Sequence, residues 1–82
     1  RNGMWVRNDN LQKYASLPEP MEALTKVRYK DAGTFGTIEQ EENRVKVSFN
    51  SLVKGIAPGQ SAVFYEGNDV IGGGWIQSSF EI

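Results

Sequence analysis

The stretch GIAPGQSAVFYEGNDVIGGGWI, from Gly55 to Ile76, decides the predicted fold. Its apolar run at 62–65 is typical of a strand that is covered on both faces. Pro58-Gly59 predicts a type II turn before that strand, because proline presets the first φ and glycine accepts the positive φ that follows. The polar residues 66–69 predict a second turn, after which the apolar pattern resumes. We interpret the stretch as the closing hairpin of a small barrel.

Three consecutive glycines, Gly72 to Gly74, interrupt the second strand of this hairpin. A glycine-rich loop can bind a phosphate through its backbone N–H groups, but such loops lead into a helix. Here Trp75 and Ile76 resume the strand pattern instead. Glycines inside a strand are typical of a bulge, a sharp bend or a close backbone approach. We therefore expect a barrel corner at this point.

Four further segments show the alternation of apolar and polar residues that predicts strands. They are residues 4–6, 21–30, 34–40 and 44–49. No segment is long enough to form an independent helix. The predicted fold class is all-β, a small translation-factor-like antiparallel β-barrel of about six strands, since closure removes exposed sheet edges. A sandwich of the same strands is the alternative.

Two connecting segments are expected to add apolar side chains to the core. The candidates are Leu11, Tyr14 and Leu17 in a loop at 11–20, and Leu52, Val53 and Ile56 in a crossing segment at 50–57. Residues 78–82 are expected to form a terminal tail.

The composition excludes several kinds of site. The 82 residues contain no cysteine and no histidine, so thiolate chemistry, disulfides and imidazole ligands or bases are absent. Nine Lys and Arg nearly cancel ten Asp and Glu, which argues against tight stand-alone binding of nucleic acid. No apolar run approaches the roughly 20 residues that span a membrane. Because the sequence does not begin with Met and Met4 follows three other residues, we interpret residues 1–82 as a single domain cut from a longer protein, with a native start at Met4 after tag residues as the alternative.

A stripe of five cations is the one surface feature with a functional interpretation. Lys26, Arg28 and Lys30 share one face of a predicted strand, because successive side chains point in opposite directions. Arg44 and Lys46 share the outward face of a strand that could lie beside it. Together these cations could follow a phosphate backbone, which makes them candidate RNA-binding residues. The alternative is an ordinary solvated strand face, on which lysine also discourages edge pairing.

Three aromatic residues are further candidates for stacking on RNA bases. They are Trp5, Tyr14 and Trp75. In so small a domain we expect them to fill the core or cap its ends instead. We predict no catalytic, metal-binding or cofactor-binding residue, because the sequence has no nucleophile–base pair, ligand cluster or cofactor fingerprint.

Four motifs together carry a family resemblance. They are KVRY at 26–29, RVKVSF at 44–49, APGQSAVFY at 57–65 and VIGGGWI at 70–76. In this order they resemble the C-terminal region of bacterial-type tRNA-specific 2-thiouridylases, over about residues 5–76. A PGQ turn alone also occurs in translation-factor barrels, so the joint pattern carries the resemblance.

The resemblance implies an ATP-dependent parent enzyme that thiolates C2 of the wobble uridine in tRNA. In that family an N-terminal domain adenylates the uridine through a PP-loop, and two of its cysteines handle persulfide sulfur from a sulfur-relay donor. A small central domain and the C-terminal barrel help to hold the tRNA. This sequence matches the barrel alone and lacks the PP-loop and both cysteines. The resemblance therefore transfers no catalytic residue, and it assigns ATP to the parent enzyme.

Three functions remain open for the barrel. It could position tRNA for the catalytic domain, pack on the central domain as a purely structural unit, or be a translation-factor-like barrel of another RNA-associated protein. The expected partners are tRNA, the parent's catalytic and central domains and a sulfur-relay donor to the parent, with no membrane. The absence of disulfides suits a cytoplasmic location.

Overall fold

The described part of the chain consists of strands and their connections. The computed structural model describes residues 1–11, 17, 19–27 and 31–81, with side chains for all of these except residues 8–11. Six strands are present, namely β1 (Gly3–Leu11), β2 (Met21–Lys26), β3 (Thr34–Glu41), β4 (Arg44–Phe49), β5 (Ser61–Glu66) and β6 (Asp69–Phe80). The all-β class is confirmed, and β4 has the bounds that its alternation predicted.

The six strands pair antiparallel into one closed barrel in the order β1-β4-β3-β2-β5-β6. Each strand therefore has a hydrogen-bonded neighbour on both sides, and no strand edge is left open. In this ring β1 lies across from β2, β4 from β5, and β3 from β6. The predicted barrel is confirmed, and the sandwich alternative is wrong.

The barrel interior is filled by the side chains that the alternation places inward. Val45, Val47 and Phe49 of β4, which alternate with the outward Arg44 and Lys46, are buried as expected, and Thr25 and Val27 are buried as well. The other buried apolar residues are Met4, Val6, Leu17, Ala23, Ile38, Val53, Ala62, Phe64, Ile71 and Ile76, with Met21 and Ile56 packed against them. The core expectations for Leu17, Val53 and Ile56 are thus confirmed, whereas Tyr14 and the Leu11 side chain lie outside the description.

The core expectation for Leu52 was wrong, because 73 % of its surface is exposed. Val53 exchanges two backbone hydrogen bonds with Arg1, at 2.7 Å through its N–H and 3.1 Å through its carbonyl oxygen. These bonds fix Val53 with its side chain toward the core. The neighbouring Leu52 therefore points outward, since adjacent side chains of an extended chain point in opposite directions.

The predicted terminal tail at 78–82 was also wrong, because β6 continues to Phe80. Its last residues pair with β1, where Trp5 lies opposite Ser78, Met4 opposite Ser79, and Gly3 opposite Phe80. The polar sequence of this end carries no local strand signal. Pairing with β1 supplies the partners for its backbone N–H and C=O groups.

The Pro58-Gly59 turn has the predicted type II character. Gly59 has a φ of +91°, and the Gln60 N–H donates to the Ala57 carbonyl oxygen at 3.3 Å. The Gln60 side-chain oxygen accepts a second bond from the Ala57 N–H at 3.0 Å. Two backbone bonds of 2.8 and 2.9 Å then join Gln60 and Gly59 to Ile76. The PGQ motif therefore anchors the crossing segment to β6.

The glycine triplet adjoins a bulge, as predicted. Phe64 of β5 pairs with Gly72, whereas the next residue, Tyr65, pairs with Val70. Ile71 is therefore an extra residue on β6, and its side chain is fully buried. The bulge bends β6 at the point where the barrel wall turns.

Close backbone approach explains why glycine is needed at the end of the triplet. A Cβ on Gly74 would overlap the carbonyl oxygen of Arg7, and one on Gly73 would lie 2.5 Å from the carbonyl oxygen of Ala62. Both obstacles are backbone atoms, which cannot move aside as a flexible side chain can. Closure between β1 and β6 therefore depends on the missing side chain at Gly74.

Gly74→Ala is expected to lower the free energy of unfolding by about 3 kcal/mol or more, because the backbones of β1 and β6 must separate. Gly59→Ala is the matched control, since nothing lies within 4 Å of its added Cβ and only its positive φ is strained. The control should lose about 1–2 kcal/mol. Urea denaturation of the purified variants measures both values, and a smaller loss for Gly74→Ala than for Gly59→Ala would contradict the close-approach explanation.

Candidate nucleic-acid surface

The structure separates the predicted stripe of cations into two groups. Lys26 lies at the end of β2, and Arg44 and Lys46 lie on β4. Arg28 and Lys30 lie outside the described residues. Because β3 lies between β2 and β4, the two groups do not occupy neighbouring strands.

The two groups also lie at different heights on the barrel wall. On β3, Thr34 is opposite Thr25, the residue before Lys26, whereas Glu39 is opposite Lys46. Five residues of a strand span about 17 Å. The described cations therefore do not form one continuous row.

Arg44 and Lys46 instead join the outward residues of β1 and β6. The pairing registers set these residues in three rows, Trp75–Arg7–Arg44, Ser78–Trp5–Lys46 and Phe80–Gly3–Ser48. We call these nine residues the cation–aromatic face. It brings three cations and three aromatic rings together on one side of the barrel.

The cations of this face lie over its aromatic rings. The Arg44 guanidinium carbon is 3.7 Å from the centroid of the Trp5 ring, and the Lys46 ammonium nitrogen is 5.7 Å from that of Phe80. The two rings are 6.2 Å apart at an interplanar angle of 47°. The Phe80 ring lies over Gly3, where a Cβ would collide with it. Cation–π attraction and this packing hold the side chains in place.

The expectation that the tryptophans fill the core was wrong. Met4 and Val6 take the interior side of β1, so Trp5 between them faces outward and is half-buried. Trp75 is 57 % exposed, because the inward position at this point of β6 belongs to Ile76. Tyr14, the third aromatic candidate, lies outside the described residues.

Carboxylates on β3 border the face on one side. Glu41 lies opposite Arg44 and forms a 3.7 Å ion pair with it, and Glu39 lies opposite Lys46. The Arg44 side chain nevertheless remains 41 % exposed. The local excess of positive charge is therefore small, and it does not predict tight binding of a polyanion by this face alone.

Lys26 has different surroundings from the cation–aromatic face. Its ammonium nitrogen lies 4.9 Å from the centroid of the Tyr65 ring on β5. Strand β2 is directly across the barrel from β1. Lys26 therefore faces away from the surface that contains Arg44 and Lys46.

The described residues contain no group of three His, Cys, Asp or Glu side chains that could hold a metal ion. None of the described residues belongs to a helix of the length and hydropathy that crossing a membrane requires.

Sequence reasoning missed one cation and one aromatic ring of the face, Arg7 and Phe80. Arg7 carried a usable signal, because extending the Met4–Val6 alternation by one residue points its side chain outward. Phe80 carried none, because its position depends on pairing with β1, about 75 residues earlier in the chain.

Comparison with known proteins places the chain in a family. The model of a family described as the aminomethyltransferase beta-barrel domain matches residues 2–76. The chain belongs to this family.

Relatives of the chain are considerably longer proteins. The tRNA-specific 2-thiouridylase MnmA of Cytophaga hutchinsonii is 58 % identical over 82 residues, which cover 99 % of this chain and 22 % of that protein. MnmA of Amoebophilus asiaticus is 51 % identical with the same coverage. MnmA of Chlorobium phaeobacteroides is 39 % identical over 90 % of this chain and 19 % of its own length. The chain thus spans about a fifth of the curated relatives that it matches.

A double-mutant cycle tests the geometry of the cation–aromatic face. Trp5→Leu and Arg44→Gln are expected to show a coupling of about 0.5–1 kcal/mol in the free energy of unfolding, because the guanidinium stacks on the indole. Each single substitution also changes other contacts, such as the Glu41 ion pair. The double-mutant cycle cancels the contributions of these other contacts to the free energy of unfolding. Purely additive effects in urea denaturation would show that the stacking contributes nothing.

Proposed function

We propose that the chain is the accessory C-terminal barrel of an ATP-dependent tRNA 2-thiouridylase and helps to position the tRNA. Support comes from relatives named tRNA-specific 2-thiouridylases that match 99 % of the chain at 51 and 58 % identity. Since the chain spans about a fifth of those proteins, the catalytic apparatus belongs to the remaining parts of the parent. The matched family is described by aminomethyl transfer, but the relatives at 58 and 51 % identity are named 2-thiouridylases, and we therefore take a 2-thiouridylase as the parent.

The cation–aromatic face is the observation that supports contact with RNA. Arg7, Arg44 and Lys46 offer charges to phosphates, and Trp75 offers an exposed ring on which a base can stack. Contacts of this kind fix the position and orientation of a nucleic acid without reading its sequence. The barrel would therefore hold the tRNA body while another domain acts on the uridine.

In this proposed function, other domains of the parent carry out the reaction itself. ATP binding, adenylation of the wobble uridine and receipt of sulfur from a relay donor belong to the catalytic domain of the parent. The barrel contributes neither a thiolate nor an imidazole, because the sequence contains no cysteine or histidine. Its partners are the tRNA and the catalytic and central domains, and the setting is cytoplasmic.

We propose both groups of predicted cations as contacts with RNA and favour one of the two groups. Arg44 and Lys46 are favoured because aromatic rings and Arg7 accompany them on one face. Lys26 lies on β2, across the barrel from β1, and is the described member of a second candidate group, whose other members, Arg28 and Lys30, are assigned to it from the sequence alone. A purely structural barrel would need neither group, and a translation-factor-like barrel would belong to a parent without a PP-loop.

Charge reversal in the full-length parent tests the RNA contact. Arg44→Glu with Lys46→Glu should raise the KM for an unmodified tRNA transcript with a wobble uridine about tenfold and leave the KM for ATP unchanged. The salt dependence of tRNA binding should fall by about two units in the slope of log affinity against log salt, one for each lost phosphate contact. Initial rates and binding titrations at several salt concentrations measure these values.

Two further variants complete this experiment. Lys54→Glu is the control for a charge reversal elsewhere on the barrel, because Lys54 is exposed in the crossing segment and belongs to neither group. Lys26→Glu with Arg28→Glu tests the second group in the same assay. If the Arg44 and Lys46 reversals change the KM for tRNA no more than Lys54→Glu does, the cation–aromatic face does not bind tRNA.

A further inference from the structure

A row of apolar side chains crosses the outer wall on the side away from the cation–aromatic face. The register places Phe35 of β3 opposite Leu24 of β2, Leu24 opposite Tyr65 of β5, and Tyr65 opposite Val70 of β6. We call these four residues the apolar row. Three inter-strand spacings make it about 14 Å long.

The apolar row is exposed at both ends. Phe35 is 57 % exposed and Val70 is 39 % exposed, while Leu24 and Tyr65 between them are half-buried. Four neighbouring strands thus present apolar side chains at one level of a wall where outward positions are otherwise mostly polar. A contiguous apolar patch of this kind marks an interaction surface more often than scattered apolar residues do.

The charges beside the apolar row disfavour nucleic acid as its partner. In the register of β5 and β6, Glu66 lies opposite Asp69, next to Tyr65 and Val70. The carboxylates of Glu66 and Asp69 repel a polyanion. The nearest described cation is Lys26, whose ammonium group lies over the Tyr65 ring. An apolar protein surface fits this chemistry better than a phosphate backbone.

The length of the relatives points to a partner within the same polypeptide. Arg1 is hydrogen-bonded to Val53, and the Asn50 N–H donates to the Phe35 carbonyl oxygen at 3.0 Å. Arg1, Phe35 and the exposed Leu52 therefore lie at the same end of the barrel. The relatives contain about four times as much additional chain as this barrel does.

We infer that the apolar row is the surface on which this barrel packs against another domain of the same, longer polypeptide. This inference rests on the part of the proposed function that makes the chain one domain of a larger enzyme. It assigns different partners to two parts of the outer wall, with protein at the apolar row, from Phe35 of β3 to Val70 at the start of β6, and RNA at the cation–aromatic face. Phe35, as the most exposed aromatic ring of the row, is the expected anchor of the domain contact.

The experiment compares Phe35→Ser with Trp75→Ser in the full-length parent without tRNA. Trp75 is the matched control, because it is also 57 % exposed and lies on β6, directly across the barrel from β3. Phe35→Ser should increase the rate of limited proteolysis between the barrel and the rest of the protein about tenfold, because the docked state loses its anchor. Trp75→Ser should leave that rate unchanged.

Val70→Thr is the second variant of the row, since it keeps the side-chain shape and adds a hydroxyl. It should also increase the cleavage rate, by a smaller factor than Phe35→Ser. Thermal unfolding of the 82-residue chain with each substitution shows whether the barrel itself stays folded. Equal cleavage rates for folded Phe35→Ser, Val70→Thr and Trp75→Ser variants would overturn the inference.

A second copy of the chain is the competing occupant of the row. Sedimentation of the 82-residue chain should show a monomer, and a dimer that Phe35→Ser dissociates would also overturn the inference. The proteolysis assay contains no RNA, so a failure of the Arg44 and Lys46 reversals to weaken tRNA binding would refute the proposed RNA contact without affecting the docking result.

Discussion

The close approach of β6 to β1 at Gly74 and Arg7 is the constraint on which the rest of the structure depends. Without a side chain at Gly74 the two backbones come near enough for β6 to pair with β1 on one side and with β5 on the other. The pairing of β1 with β6, which we call the β1–β6 seam, closes the six-stranded sheet into a barrel without open edges. It also brings Trp75 and Phe80 beside Trp5, which makes the cation–aromatic face a direct consequence of closure.

The two walls of the barrel differ in chemistry because opposite strands carry different outward residues. On the β6-β1-β4 side, cations lie over aromatic rings, and the surface can approach phosphates and bases. On the β3-β2-β5 side, apolar residues share one level beside carboxylates. A small domain with a nearly neutral total charge can in this way offer separate surfaces to RNA and to protein, although its composition alone suggests weak binding of nucleic acid.

Local pattern in the sequence predicted much of this fold. The strict alternation of Arg44 to Phe49 gave the bounds and the inward face of β4, and the PGQ and triple-glycine motifs correctly indicated a type II turn and a bulge. Arg44 and Lys46 were predicted to face outward for the same reason. The errors lie where distant pairing decides, because Leu52 is turned outward by bonds between Arg1 and Val53, and the end of β6 is ordered by β1. The neighbours of each cation depend on strand order, which alternation does not encode.

Closure of the barrel through the β1–β6 seam is the central claim, and solution NMR of the isotope-labelled chain tests it most directly. The structure predicts cross-strand NOEs from Met4 to Ser79 and from Val6 to Ile76, together with NOEs from Met4 to Val47 on the other side of β1. A spectrum in which β1 shows contacts with β4 and none with β6 would contradict closure. The cation–aromatic face would then be refuted as well, because it requires β1 to pair with both β4 and β6.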